Sequence, residues 1–193
     1  MIQMKGNISK NNLQQFEFQI SPPLTVINSQ NGSGKTSLLK CICGVTKYEG
    51  WIKDRNERIK TKDISFYFSG DDFLEPEMTI QQNYRYYIGT NKVNVDFLRN
   101  FKLDCNEKCL VSQLSSGNLQ KLRIMLTLAR QRKYYILDEP TVYLDKETID
   151  ELCTVLKKNT IEGNIIIGTN DNYFSEMMSE YVIDIMENGN AFY

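Results

Sequence analysis

The stretch Ser29-Gln30-Asn31-Gly32-Ser33-Gly34-Lys35-Thr36 decides the fold of this chain. It follows a short apolar run, 24–27, that predicts a buried strand, and it precedes residues at helical spacing that predict a helix ending at Gly44. A glycine-bearing turn between a strand and a helix is the context of a phosphate-binding loop, because its N–H groups and the helix N-terminus attract anions. A polar turn with a capping lysine is the alternative interpretation.

We call this segment the phosphate loop, and each of its parts has a predicted role in nucleotide binding. The glycines permit a positive φ and a close approach of the ligand, while Lys35 offers a point charge to the β- and γ-phosphates of a nucleotide. The Thr36 hydroxyl is a candidate Mg²⁺ ligand, with Ser37 behind it. The usual pattern begins with glycine where this chain has Ser29, which would cost ~1 kcal/mol if that position needs a positive φ. The predicted ATP-binding residues here are Ser29, Gln30, Asn31, Gly32, Ser33, Gly34, Lys35, Thr36 and Ser37.

An apolar strand with two carboxylates at its end predicts the second half of an ATP site. The run Tyr134–Leu137 is followed by Asp138 and Glu139. Asp138 can hold Mg²⁺ through water, and Glu139 can polarise the attacking water as the catalytic base. An ordinary solvated strand end is the alternative interpretation.

A serine- and glycine-bearing segment precedes the helix that leads into this strand. It comprises Leu114, Ser115, Ser116, Gly117 and Asn118. A serine hydroxyl and glycine amides at a helix N-terminus can bind an anion, but a simple capped helix start would look the same. The segment is a candidate functional site because it lies shortly before the carboxylate-bearing strand.

Composition excludes several classes of function. The chain has 193 residues, no histidine and a formal net charge of -1, so imidazole catalysis, histidine-ligated metals and general nucleic-acid binding are not expected. The five cysteines form no C-x-x-C pair, which favours free thiols over a disulfide framework. No run approaches the ~18 apolar residues of a membrane span, and the N-terminus resembles no targeting segment. At a membrane the protein would have to dock on other chains.

Alternating strand and helix patterns predict an α/β fold with a largely parallel sheet. We expect a single domain over 1–193, with a core at about 1–70 and 119–193 and a helical insertion at about 71–118. Trp51 is expected in the hydrophobic core.

The combined motifs resemble the ATP-binding-cassette (ABC) nucleotide-binding domain. SQNGSGKTSLLK looks like its Walker A motif, LSSGNLQKL like its signature, and YYILDEPTVYLD like its Walker B motif and D-loop, in the family's order. The segment Met78-Thr79-Ile80-Gln81-Gln82-Asn83 is similar to the family's stretch after the Q-loop.

The resemblance implies a P-loop NTPase core of the ABC type with a small helical subdomain, binding ATP and Mg²⁺. It also implies two such domains facing head to tail, a homodimer being the simplest form. The ATP held by one Walker A motif would then be closed by Ser115 and Gly117 of the other chain, with Asp145 in the D-loop at the interface.

The chain departs from the family pattern at three further places. Gly70 is aligned with the Q-loop glutamine and cannot replace its side chain, which leaves Asp71 as a substitute metal ligand. Asn170 takes the place of the switch histidine, where it can bond a γ-phosphate but cannot exchange a proton near pH 7. No aromatic adenine-stacking residue occurs in 7–12. These departures predict MgATP binding with slow hydrolysis.

Three stretches narrow the resemblance within the family: NSQNGSGKTSLLK, EMTIQQN and TIEGNIIIGTND. In their layout the chain most resembles the ATPase subunit of the haem exporter used in cytochrome c maturation. This implies integral membrane subunits as partners and a peripheral location on an inner membrane, at the cytoplasmic face in a bacterium or the matrix face in a mitochondrion. Two alternatives stay open: a degenerate, nucleotide-stabilised scaffold, and the ATPase subunit of a drug or peptide exporter. The transported substrate is not encoded in this chain.

Overall fold

A six-stranded, mainly parallel sheet forms the centre of the computed structural model, which describes residues 2–8, 16–20, 23–103, 105–158, 161–185 and 191–192. In the order β10-β9-β3-β8-β7-β6, all neighbours are parallel except the pair β9 and β10. The carboxyl ends of β3, β7 and β8 therefore meet at one edge of the sheet, where ligands of such folds bind. The strands are β3 (Leu24–Asn28), β6 (Ile64–Tyr67), β7 (Tyr134–Asp138), β8 (Asn164–Thr169), β9 (Val182–Ile185) and β10 (Ala191–Phe192).

A smaller antiparallel sheet lies beside this one. Its order is β2-β1-β4-β5, and its strands are β1 (Ile2–Asn7), β2 (Phe16–Ile20), β4 (Glu49–Asp54) and β5 (Glu57–Arg58). Alternate residues of β2 are buried, as its apolar–polar alternation predicts.

Six α-helices connect or cover the strands in the described part of the chain. They are α1 (Lys35–Ile42), α2 (Ile80–Ile88), α3 (Val95–Asn100), α4 (Ser116–Ala129), α5 (Lys146–Lys157) and α6 (Asn172–Met177). The first follows β3 directly, as the sequence predicts, and α2 and α3 lie within the predicted helical insertion. α4 begins three residues before the apolar face at Leu119, because Ser115 caps it by accepting a bond from the N–H of Asn118 at 3.2 Å.

Apolar side chains pack on both faces of the central sheet. One cluster joins the small sheet and α1 to one face, and a second joins α4, α5 and α6 to the other. A third cluster lies between α2 and the outer side of α4. Burial on both faces explains why β7 and β8 are almost continuously apolar.

The expectation that Trp51 belongs to the core is wrong. Trp51 is 39% exposed, and the Lys53 ammonium lies 5.3 Å from its ring centroid. Successive residues of a strand point to opposite faces, and in β4 it is Ile52 that is buried.

Candidate functional site

The phosphate loop connects the end of β3 to the start of α1. Gly32 and Gly34 have φ values of +83° and +91°, the conformation for which glycine is needed. Ser29 is absent from the non-glycine residues with positive φ, so serine at this position carries no such strain. Its hydroxyl lies 2.7 Å from that of Ser33, and its N–H donates to the carbonyl of Thr169 at 3.2 Å. The loop is thereby closed on itself and attached to β8.

Lys35 lies at the base of this loop and is 5% exposed. Its Nζ is 2.8 Å from Oε1 of Glu139 and donates to the carbonyl of Ser29 at 3.2 Å. Gly168 makes room for this side chain, since a Cβ there would lie 2.9 Å from the Lys35 Cγ. An ion pair with Glu139, which is distant in the sequence, therefore holds the charge of Lys35 beside the loop.

Asp138 is buried at the end of β7, next to the first turn of α1. Its Oδ2 accepts a 2.8 Å hydrogen bond from the Thr36 hydroxyl, whereas its Oδ1 has no hydrogen-bond partner in the described structure. Burial raises the pKa of Asp138, and the bond from Thr36 opposes that rise. A buried carboxylate oxygen without a partner, beside a hydroxyl, fits a hydrated Mg²⁺.

Mg²⁺ is usually held by one or two carboxylates together with substrate phosphates rather than by a dedicated protein cage. No group of three or more Asp, Glu or Cys side chains suited to a metal occurs in the described residues. The arrangement at Asp138 therefore fits a cation that arrives with a nucleotide.

Glu139 is held in an unusual backbone conformation, with a φ of +49°. Its N–H donates to the carbonyl of Gly168 at 2.7 Å. Its Oε2 accepts bonds from the Thr169 hydroxyl at 3.2 Å and from the N–H of Asn170 at 3.1 Å. Because Lys35 contacts Oε1 as well, both carboxylate oxygens are held by neighbouring groups. The Glu139 side chain is therefore fixed in one orientation at the edge of the cleft.

Asn170 links the end of β8 to the phosphate loop. Its side-chain amide donates to Oδ1 of Asn31 at 2.6 Å. Asn170 therefore contacts both Glu139 and Asn31, and its predicted bond to a γ-phosphate stays a prediction.

An open cleft of about 500 Å³ lies above these groups. It is lined by residues 30–37, Ser69, Asp138 and Glu139. Ser69 was not singled out in the sequence, which aligned its neighbour Gly70 with the Q-loop glutamine. Gly70 and Asp71 are absent from the lining, and Asp71 lies in a separate groove beside β6. The alignment of Gly70 with the Q-loop glutamine stays a prediction, and the structure does not place Asp71 in this cleft as a metal ligand.

The signature segment, Leu114–Asn118, does not line this cleft. Ser115 and Ser116 are exposed at the start of α4, and the position of a Cβ on Gly117 would lie 3.1 Å from the carbonyl of Tyr143. Asp145 caps α5 by accepting a 2.8 Å bond from the N–H of Thr148, and this bond lowers the pKa of Asp145. The predicted residues thus form two separate surfaces: the cleft, and an exposed surface made by the signature segment and the 141–145 loop.

No helix in the described residues is long and apolar enough to cross a bilayer.

Comparisons with known proteins agree on one superfamily. A family model described as "ABC transporter" matches residues 13–142. The cytochrome c biogenesis ATP-binding export protein CcmA of Reclinomonas americana is 33% identical over 156 residues, covering 75% of this chain and 70% of the relative. The ATP-binding protein Uup of Buchnera aphidicola subsp. Schizaphis graminum is 31% identical over 166 residues, covering 81% of this chain and 27% of the relative.

Among solved structures, the bacterial ABC transporter cassette MJ0796, reported in a dimeric structure, superposes with a TM-score of 0.78 and 20% identity. The superposition covers 100% of this chain and 97% of that one. This likeness shows the fold: an α/β nucleotide-binding cassette with the same arrangement of sheet and helices.

Proposed function

The chain belongs to the ABC transporter family, and on that premise we propose that it is the ATP-binding subunit of an ABC-type exporter. It binds MgATP in the cleft above Lys35 and couples this binding to integral membrane subunits. The observation that carries the proposal is the convergence of Lys35, Thr36, Asp138 and Glu139 on one cleft, with an unpaired oxygen on Asp138.

Lys35 and the loop N–H groups would hold the β- and γ-phosphates. Thr36 and Asp138 would hold Mg²⁺, which when bound neutralises charge on the phosphate oxygens. Lys35 is paired with Glu139 in the structure, so phosphates that bind beside Lys35 would take over that ammonium. The exchange frees Oε1 of Glu139, while Thr169 and Asn170 keep Oε2 in place. Glu139 can then accept a proton from a water that attacks the γ-phosphate.

A second copy of the chain completes the site in this proposal. The signature segment is exposed and does not line its own cleft, so its serine hydroxyl and helix N-terminus are available to the nucleotide of a partner. In a symmetric dimer, the signature surface of each chain would cover the cleft of the other, so both surfaces of each chain would be used.

Hydrolysis is proposed to be slow. Asn170 supplies an N–H and an amide where a histidine could exchange protons, and Gly70, aligned with the Q-loop glutamine, has no side chain to offer a metal or water. MgATP binding and turnover by the purified protein, alone and with its membrane subunits, test this with Lys35→Ala and Glu139→Gln as controls. Fast multiple turnover by the isolated dimer that Glu139→Gln abolishes would contradict the slow rate.

The similarity to CcmA supports a finer proposal, that the exporter serves cytochrome c maturation by moving haem. The chain would then sit peripherally on an inner membrane, at the cytoplasmic face of a bacterium or the matrix face of a mitochondrion. Expression in cells lacking their own CcmA, followed by haem staining of cytochrome c, tests it. Rescue by the native chain and not by Lys35→Ala supports the proposal, whereas export of a drug or peptide without rescue would favour the alternative exporter.

The scaffold alternative rests on Asn170 and Gly70, which stand where the family has its switch histidine and its Q-loop glutamine. It predicts nucleotide-stabilised assembly with the membrane subunits that is unchanged in Glu139→Gln and involves no turnover.

A further inference from the structure

A buried glutamine joins the two surfaces that the proposed function keeps separate. Gln120 lies in α4, two residues after the signature segment, and is 1% exposed. Its Oε1 accepts a 2.9 Å hydrogen bond from the hydroxyl of Tyr67, the last residue of β6. Its Nε2 donates a 2.8 Å hydrogen bond to the carbonyl of Pro140, the residue after Glu139.

Both of these bonds connect α4 to the cleft. Tyr67 precedes Ser69 by two residues, and Ser69 lines the cleft. The Pro140 carbonyl belongs to the residue that directly follows Glu139, whose φ of +49° needs surrounding contacts to persist. A single side chain therefore ties the start of α4 to the two segments that carry the cleft residues Ser69 and Glu139.

We propose that Gln120 is a positioning residue that couples the signature segment to Glu139 through the carbonyl of Pro140. The inference rests on the proposed function, because the signature segment acts on the partner's nucleotide and Glu139 on the chain's own. Gln120 fixes the distance between these two groups within one chain, so closure of one site is transmitted to the geometry of the other. It touches neither nucleotide nor water.

The two hydrogen bonds of Gln120 are hard to break because they are buried. The bonds of Gln120 lie in a region of low dielectric, where a buried donor or acceptor left without a partner costs more than an ordinary hydrogen bond contributes. A movement of α4 that breaks the bond to Pro140 is therefore resisted, and the helix and the backbone after Glu139 move together.

The test measures MgATP affinity, steady-state turnover and MgATP-driven dimer formation in the full-length protein. Gln120→Met keeps the side-chain length and removes both hydrogen bonds, and Tyr67→Phe removes only the bond to β6. Gln81→Met, on the exposed side of α2, is the matched control. We expect Gln120→Met to lower kcat at least tenfold with the Kd for MgATP within twofold of wild type, and Tyr67→Phe to lower kcat less than threefold.

A conservative variant separates positioning from simple packing. In Gln120→Glu an ionised carboxylate can still accept from Tyr67 but cannot donate to Pro140, whereas the protonated form can do both. Arg123, Asp71 and Asp138 are the charged groups that act on the Tyr67 hydroxyl, and they are the same in both Gln120 variants. At pH 6 we expect Gln120→Glu to turn over ATP at least fivefold faster than Gln120→Met.

The outcomes distinguish this inference from the function on which it rests. Equal turnover of Gln120→Glu and Gln120→Met at pH 6, a Gln120→Met variant within twofold of wild type, or a parallel loss of MgATP affinity would overturn the positioning role alone. A wild-type protein that shows neither Glu139-dependent turnover nor MgATP-driven dimer formation would overturn the proposed function and the inference with it.

Discussion

The ion pair between Lys35 and Glu139 predicts that Glu139→Gln destabilises the nucleotide-free protein and enlarges its stabilisation by MgATP. The two groups are 2.8 Å apart, with side chains 5% and 15% exposed. Removing one partner of a fully buried pair costs ~3–5 kcal/mol, and of an exposed pair less than ~1 kcal/mol. Because this pair is nearly buried but faces an open cleft, we expect a loss of about 2 kcal/mol. For a chain of this size that lowers the unfolding temperature by roughly 4–8 °C.

Bound MgATP should cancel this loss, since its phosphates replace the carboxylate as the partner of Lys35. The variant does not have to break the ion pair before binding, so its affinity for MgATP should rise by up to about 30-fold, the equivalent of about 2 kcal/mol. Thermal unfolding with and without MgATP, together with calorimetric titration, measures both effects.

Glu151→Gln is the matched control for this experiment. It breaks an ion pair that also contains a buried lysine, in which Lys121 Nζ lies 2.6 Å from Oε2 of the half-buried Glu151. Because this pair is outside the cleft, MgATP should not compensate for its loss. An MgATP-induced shift in Glu139→Gln no larger than those of wild type and Glu151→Gln would refute the reasoning.

Three further predictions concern single residues. Burial holds the proton of Asp138 more tightly in the folded protein than in the unfolded chain, so the nucleotide-free protein should lose stability as the pH rises above the ordinary aspartate pKa. Asp138→Asn should remove this pH dependence of stability, which unfolding scans between about pH 4 and 8 would show. The same variant should abolish the effect of Mg²⁺ on ATP affinity, which titrations with and without Mg²⁺ would show. Gly117→Ala, whose Cβ would lie 3.1 Å from the carbonyl of Tyr143, should lower turnover at least tenfold with MgATP affinity unchanged; equal loss of both would point to misfolding. Tyr143 has a φ of +67° and is 69% exposed, so Tyr143→Gly should stabilise the protein by about 1 kcal/mol, and a lower unfolding temperature would contradict this.

The features that could be predicted from the sequence are those encoded over a few neighbouring residues. Strand β3, the phosphate loop and α1 follow one another within 19 residues, from Leu24 to Ile42, and glycine, lysine and apolar spacing each mark a separate part of that unit. β7 is similarly evident, because its apolar run and the two carboxylates that end it are adjacent in the chain. The family resemblance rested on these local units and their order.

The features that escaped prediction depend on distance or register. Ser69 lines the cleft and Asp71 a separate groove, and the sequence offers no signal for how the chain turns after β6. The pairing of Lys35 with Glu139, and of Gln120 with Tyr67 and Pro140, joins residues far apart in the chain. A glutamine in a helix is ordinarily a surface residue, so only the fold shows that this one is buried.

The conformation of Glu139 bears on the choice between a motor and a scaffold. A positive φ in a residue other than glycine costs on the order of 1–2 kcal/mol, and here it places the carboxylate where Lys35, Thr169 and the N–H of Asn170 all meet it. A scaffold needs Lys35 and the phosphate loop to hold a nucleotide, but it gains nothing from a strained and fully oriented carboxylate beside the γ-phosphate position. Retention of that geometry, in a chain without the proton-exchanging histidine, favours a slow ATPase over a passive cassette. We therefore expect turnover that is weak but dependent on Glu139.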